Sequence, residues 1–239
     1  MKALLLAGGR GTRLLPYTTI IPKPLMPVGT RPILEILLLQ LRSMGVTEMI
    51  LAVGHLAHLL RAYFGDGTRH GVRLSYVEES EPLGTAGPIG LALDSLGPRF
   101  LMMNGDLLTT LDFRKLVQFH ESQQAAATIG AFQRQVESDF GVLSTDEAGC
   151  LVQYEEKPTL HYRVSMGVYV LETASVAPLV RPVRRLDAPD LIRALLADGR
   201  KVCCYEDDCF WLDIGRPDDY HMANEIIAQG KLLFPTAHE

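Results

Sequence analysis

The stretch Lys2-Ala3-Leu4-Leu5-Leu6-Ala7-Gly8-Gly9-Arg10-Gly11-Thr12-Arg13-Leu14 lies at the start of the chain, and the fold follows from it. Residues 2–7 form a short apolar run, which suits a strand buried on both faces. The run stops at Gly8, Gly9 and Gly11. Glycines let successive backbone N–H groups face one concavity and let an anion approach the main chain. The apolar part is too short for a secretory leader, which needs about 7–15 such residues. The dinucleotide pattern G-x-G-x-x-G is not met, because Leu14 stands where its third glycine belongs. The P-loop pattern is not met either, since no Gly-Lys-Ser/Thr follows. The turn then reads either as a tight surface turn or as a phosphate cradle of another kind, to which Arg13 can add a forked cation.

Outward from this turn, strand and helix patterns alternate. Strand patterns fall at 48–53, 72–77, 99–103 and 125–132, and helix patterns at 32–43, 56–64, 88–96 and 113–124. This rhythm predicts an α/β fold, with a mainly parallel sheet flanked by helices on both faces. From about residue 136 the pattern changes. Short strands are expected at 140–143, 151–155, 164–171, 202–205 and 209–212, with helices at 187–197 and 217–229. The reading is one domain over 1–239 in two parts, an α/β part (1–135) and a smaller β-rich part with a C-terminal helix (136–239).

Composition narrows the class. The 239 residues are 47% hydrophobic and 21% charged, near globular averages. Twenty-three Lys+Arg against 28 Asp+Glu give a net charge of −5, which argues against nucleic acid as a partner. No apolar run reaches the ~18 residues of a membrane span. Cys150, Cys203, Cys204 and Cys209 lack zinc-finger spacing and read as free thiols. Free thiols without a leader point to the cytoplasm.

Four further places are candidates for chemistry, against the plainer readings of a proline-rich connection, a solvated charged loop and strand-end turn formers. In Ile21-Pro22-Lys23-Pro24-Leu25 the flanking prolines stiffen the chain around a lysine. Glu79-Ser80-Glu81-Pro82-Leu83-Gly84-Thr85 lies between a strand and a helix, on the edge where α/β folds bind ligands. Asp106 and Asp213 each follow an apolar run, which places them at strand mouths. Two such carboxylates suit a hard dication.

Six segments, in order, resemble the sugar-1-phosphate nucleotidyltransferases. They are Leu6 to Leu14, Pro22-Lys23-Pro24-Leu25, Pro82-Leu83-Gly84-Thr85-Ala86-Gly87, Asn104-Gly105-Asp106, Glu156-Lys157-Pro158 and Trp211-Leu212-Asp213-Ile214-Gly215. The resemblance implies a Rossmann-like core, nucleotide-binding over 1–135 and sugar-binding over 136–239, and a Mg²⁺-dependent reaction of a nucleoside triphosphate with a sugar 1-phosphate, giving a nucleotide-sugar and pyrophosphate. It implies that Arg13 and Lys23 are catalytic and that Asp106 and Asp213 hold Mg²⁺. It implies that Leu6, Ala7, Gly8, Gly9, Gly11, Thr12, Glu79, Gly84 and Thr85 bind the nucleotide. Asn104, Gly141, Glu156, Lys157 and Ser165 would bind the sugar phosphate. The run 79–87 is similar to that of the mannose-1-phosphate and heptose-1-phosphate guanylyltransferase branch. Glu79 stands where thymidylyltransferases carry a base-reading amide. A carboxylate there can accept two donors from guanine, whereas uracil or thymine offers one donor flanked by acceptors. Many relatives have Asn-Ala-Gly where this chain has Ser165-Met166-Gly167, and many continue into a hexapeptide-repeat β-helix. No such extension is expected here, and any homo-oligomer would use the catalytic part's own surface.

Competing readings remain in view. Thymidylyl, uridylyl, adenylyl or cytidylyl transfer to another sugar 1-phosphate is the alternative within the class. A non-catalytic nucleotide-sugar-binding regulatory subunit is the alternative outside it, but the presence of Arg13, Lys23, Asp106, Lys157 and Asp213 together argues for an enzyme. A nicotinamide dehydrogenase is excluded by the glycine spacing and by Gly54-His55 standing where an acidic residue belongs.

Overall fold

A computed structural model describes residues 1–181 and 183–231. The elements in chain order are β1 (Lys2–Leu6), β2 (Pro27–Val28), β3 (Arg31–Pro32), α1 (Ile33–Ser43), β4 (Glu48–Val53), α2 (Ala57–Phe64) and β5 (Arg73–Glu78). There follow α3 (Pro88–Ala92), β6 (Arg99–Asn104), β7 (Leu107–Thr109), α4 (Phe113–Gln123), β8 (Ala127–Glu137), β9 (Val142–Thr145) and β10 (Leu151–Glu155). The last are β11 (Thr159–Glu172), α5 (Thr173–Val180), α6 (Ala188–Ala197), β12 (Val202–Glu206), β13 (Trp211–Asp213) and α7 (Pro217–Ala228).

Seven strands form the central sheet in the order β12-β8-β11-β6-β1-β4-β5. Every pairing in it is parallel except those of β11, which runs antiparallel to both β6 and β8. The expected Rossmann-like, mainly parallel sheet is therefore present. β1 lies centrally because its side chains alternate between two apolar layers. Ala3, Leu5 and Ala7 join the layer built from α1, α2 and α4, while Leu4 joins that of α3, α5 and α6. A third, smaller apolar cluster holds Leu14, Met26, Val28, Leu108, Ile214 and Ala223. α1 is buried on nearly all sides because Leu34 and Leu37 pack on the sheet while Ile33 and Ile36 pack into that third cluster.

The chain places β4 and β5 on one side of β1 and then returns to lay β6 on the other. Such a switch opens a crevice beyond the carboxyl ends of the strands.

Several elements depart from the sequence expectations. The helix expected at 88–96 ends at Ala92 and continues as a 3-10 turn, Leu93–Ser95. The strand expected at 125–132 starts at Ala127 and runs to Glu137. The strand expected at 164–171 starts at Thr159. These extensions pair with each other and carry mostly exposed side chains, so burial gave no signal for them. Phe140 and Gly141 lie outside β9. The strand expected at 209–212 is Trp211–Asp213, paired to β7. Helix α5 was not expected: Thr173, Val176 and Pro178 all read against a helix, and burial of Val176 and Val180 supplies what propensity lacks. The end of the expected domain, residues 232–239, lies outside the described residues. No helix among the described residues is long and apolar enough to cross a membrane.

Candidate active site

The turns following β1, β4, β5 and β6 meet at one end of the sheet. The glycine turn after β1 is held from both sides. Ala7 N–H donates to Ala52 O (2.8 Å), and Thr18 Oγ1 donates to Gly11 O (2.8 Å). Gly11 adopts φ +62°, and a Cβ there would stand 2.8 Å from Thr18 Cγ2 and 3.3 Å from Lys23 Cβ. The turn and the lysine segment therefore pack against one another as glycine alone allows.

Lys23 begins a 3-10 turn, fixed by Leu25 N–H to Pro22 O (2.8 Å) and Met26 N–H to Lys23 O (3.0 Å). Only 8% of Lys23 is exposed. Its ammonium donates to Asp106 Oδ2 and lies 3.9 Å from Asp213 Oδ1. Asp106 sits in the turn between β6 and β7, which closes against β1 through Gly105 N–H to Leu6 O (2.9 Å). Asp213 ends β13, opposite Leu107 in register, and Ile214 N–H donates to Asp106 O (3.2 Å). The two carboxylates are thereby fixed as neighbours. Asp219 secures the far side by accepting from Gly215 N–H (3.2 Å) and Arg216 N–H (2.9 Å) at the start of α7.

Burial pushes the Asp213 carboxyl pKa up, and the Asp106 charge adds to this, against the opposing pull of Lys23 and Arg13. Asp106 Oδ1 is buried with no hydrogen-bond partner. An orphaned acceptor beside a second carboxylate is the donor set of a hard, oxygen-seeking dication. Among the described residues no cluster of three or more His, Cys, Asp or Glu could hold a metal, so a cation here would draw its other ligands from substrate and water. The Arg13 guanidinium lies against Gly215, where a Cβ would stand 3.3 Å from Nη1. Arg13, Lys23 and Asp106 line one cavity of about 220 Å³, together with Leu6, Ala7, Gly9, Gly11 and Thr12.

A second, larger cavity of about 510 Å³ continues from it past Gly8 to Glu79, Gly84 and Thr85. Glu79 Oε2 accepts from Leu83 N–H (2.9 Å), and burial pushes its carboxyl pKa up. Its Oε1 would stand 2.5 Å from a Cβ on Gly8, so the carboxylate lies directly beside the glycine turn. Asn104 lines this cavity too, and its amide packs on Gly167. Ser165 Oγ accepts from Gly167 N–H (3.3 Å) and is 3.1 Å from Tyr169 Oη, while Trp211 Nε1 donates to Met166 O (3.0 Å). Ser165 thus belongs to an irregularity of β11 that adjoins Asn104.

Gly141 and Glu156 come together on Tyr154 in the β-rich part. Tyr154 Oη donates to Glu156 Oε2 (2.8 Å), and a Cβ on Gly141 would meet both side chains. Gly141, Glu156 and Lys157 line neither cavity. Other lining residues had been given no site role by the sequence reading, among them Arg10, Gly54, His55, Ser80 and Gly215. Gly54-His55 follows β4 as the glycine turn follows β1, and His55 N–H donates to Gly8 O (3.3 Å). A glycine directly after the second strand was the available signal.

This architecture, with two cavities at the switch point of the sheet, is that of an α/β protein with a ligand-binding crevice. The chain belongs to the nucleotidyl transferase family, whose sequence pattern matches residues 2–230. It is 34% identical over 238 residues to a probable mannose-1-phosphate guanylyltransferase 1 of Oryza sativa, covering 92% of this chain and 63% of that one. It is 33% identical over 236 residues to the mannose-1-phosphate guanylyltransferase of Mycobacterium tuberculosis, covering 96% and 65%. A UTP–glucose-1-phosphate uridylyltransferase of Synechocystis is also 33% identical, over 243 residues, covering 93% and 62%. The chain thus spans a little under two thirds of the length of these relatives. Among solved structures, a putative glucose-1-phosphate thymidylyltransferase from Bacillus anthracis superposes with a TM-score of 0.79 at 25% identity, covering 99% of this chain and 98% of that one. HddC from Yersinia pseudotuberculosis, complexed with GMP-PN, superposes with a TM-score of 0.74 at 25% identity, covering 95% and 99%.

Proposed function

We propose that this protein transfers a nucleotidyl group from a nucleoside triphosphate, preferentially GTP, to a sugar 1-phosphate, preferentially mannose or heptose 1-phosphate. The observation that carries the reading is the Lys23 ammonium placed between Asp106 and Asp213 beside a glycine turn, in a chain of this family. An oxygen of the sugar phosphate forms a bond to the α-phosphorus, the bond from that phosphorus to the β-phosphate bridging oxygen breaks, and pyrophosphate leaves. The nucleophile is already an anion, so no strong base is required. The barrier lies in bringing two polyanions together and in the charge that builds on the departing pyrophosphate.

Each part of the site has a role in that task. The N–H groups of the turn 8–13 cradle the phosphates, and Arg13 neutralises the leaving pyrophosphate. Lys23, released from Asp106, contacts the phosphates at the reacting end. Asp106 and Asp213 would hold Mg²⁺, which when bound supplies charge neutralisation at the reacting phosphate. Glu79 faces the base, its acceptor oxygens suiting the donors of guanine. Asn104 and Ser165 adjoin the sugar, and Gly141, Glu156 and Lys157 complete the sugar-phosphate side from the β-rich part. The four cysteines are free, in keeping with action in the cytoplasm.

The test is a matrix of nucleoside triphosphates against sugar 1-phosphates, with Mg²⁺ present and pyrophosphate release as the readout. GTP with mannose or heptose 1-phosphate is expected to give the fastest release. Release with UTP or dTTP alone would move the base assignment. Silence across the matrix would favour a regulatory, non-catalytic subunit.

A further inference from the structure

The wall of the larger cavity is tied to a distant part of the chain. Pro82, Gly84 and Thr85 line that cavity. Leu186 N–H donates to Leu83 O (2.9 Å), and Leu186 O accepts from both Ala86 N–H (2.8 Å) and Gly87 N–H (3.0 Å). Gly84 adopts φ +78°, and a Cβ there would stand 2.5 Å from Asp187 Oδ1 and 2.7 Å from Leu186 O.

Asp187 precedes α6 in the N-cap position, yet its carboxylate bonds none of that helix's own N–H groups. It reaches across to accept from Thr85 N–H (3.1 Å), and Thr85 Oγ1 accepts in return from Ala188 N–H (2.7 Å), the first residue of the helix. The cap that a helix normally takes from its own N-cap side chain is here exchanged with the cavity wall. α6 is in turn anchored through Ala188, Leu191 and Leu195 in the apolar layer behind the sheet.

We propose that Thr85 and Asp187 are positioning residues for the nucleotide's base. Their exchange holds the wall at 82–85 in place, so affinity for the base depends on residue 187, which lines neither cavity. This deepens the proposed function and rests on its nucleotide assignment. The phosphate cradle at 8–13 belongs to a different turn and takes no part in the exchange.

The experiment is an equilibrium titration, with Mg²⁺, of the tightest-bound of GTP, UTP and dTTP and, separately, of inorganic tripolyphosphate, which has no base. Thr85→Val and Asp187→Ala are each expected to weaken the nucleotide about tenfold and leave tripolyphosphate unaltered. The double variant should be no weaker than either single one, and Thr85→Ser should restore binding. Nucleotide affinity equal to wild type in both single variants would overturn the proposal. So would a parallel loss of nucleotide and tripolyphosphate, the mark of a merely structural defect. If Thr85→Val and Asp187→Ala do not fold, Asp187→Asn carries the test: a loss of about threefold, selective for the nucleotide, supports it, and no loss or an unselective one overturns it. A wild-type protein that binds tripolyphosphate but no nucleoside triphosphate would instead overturn the nucleotide assignment.

Discussion

The Lys23 ammonium donates to Asp106 and stands 3.9 Å from Asp213, so a single buried cation faces both carboxylates. It sits where a dication bound by those two groups would also be drawn. Replacing Lys23 by Met removes the competing charge and keeps the volume. Mn²⁺ binding to the nucleotide-free protein, followed by electron paramagnetic resonance, should tighten about tenfold, within the range expected for one close charge. Turnover should fall by about 10²–10³ because a cation at the reacting phosphates is lost. Unchanged Mn²⁺ affinity would mean that the two aspartates do not share a cation.

Gly11 and Gly9 make a matched pair for the turn itself. A side chain at Gly11 enforces φ +62° on a residue with a Cβ and pushes it to 2.8 Å from Thr18 Cγ2. Gly11→Ala should cost about 1–2 kcal/mol in denaturant unfolding. At Gly9 nothing lies within 4 Å of an added Cβ, so Gly9→Ala should leave stability within about 0.5 kcal/mol. Equal effects at the two positions would mean that the turn is not set as described.

Base choice should answer to residue 79. Glu79→Gln exchanges an acceptor-only group for one that also donates. The ratio of kcat/KM for GTP over UTP should drop about tenfold, the scale of one hydrogen bond to a charged group. A ratio that does not move would remove Glu79 from base reading.

Stability should depend on pH through a buried histidine away from the cleft. His120 is fully enclosed, with Nδ1 2.8 Å from Thr128 Oγ1 and Nε2 3.1 Å from Glu172 Oε1. Burial lowers its pKa below the ordinary 6.5, and the nearby Arg99 charge adds to this, while Glu172 and Glu121 oppose it. Burial lowers His70 in the same direction. The unfolded chain then takes up these protons first as pH falls. Stability is full above the unfolded value and is lost as pH drops from about 6.5 toward the lower folded values. Melting temperatures across this range should decline, and His120→Gln should flatten part of the decline. An identical slope in that variant would assign the effect elsewhere.

Much of this was legible in the sequence, for identifiable reasons. Strands β1, β4 and β6 are apolar runs cut short by Gly8, Gly54 and Gly105, so both their type and their ends show in composition. Lys23 between prolines and the two strand-end aspartates announce themselves by residue type. Helix α5 does not, because Pro178 and its β-branched neighbours are tolerated only through packing of Val176 and Val180. β7 and β13 are three residues each and pair with each other across about a hundred residues of chain, which local pattern cannot reveal. His55 and the Thr85–Asp187 exchange depend on strand order and on a helix end brought from far along the sequence. Gly141, Glu156 and Lys157 line neither cavity, although their motifs stand in order with the others in the sequence.

The most direct test of the central claim is the rate of Mg²⁺-dependent pyrophosphate release by Asp106→Asn and Asp213→Asn, each first shown to melt as wild type does. The account predicts a loss of about 10²–10³ in turnover for both, since each removes one of two charges holding the same cation. Near-wild-type release by either folded variant would contradict it.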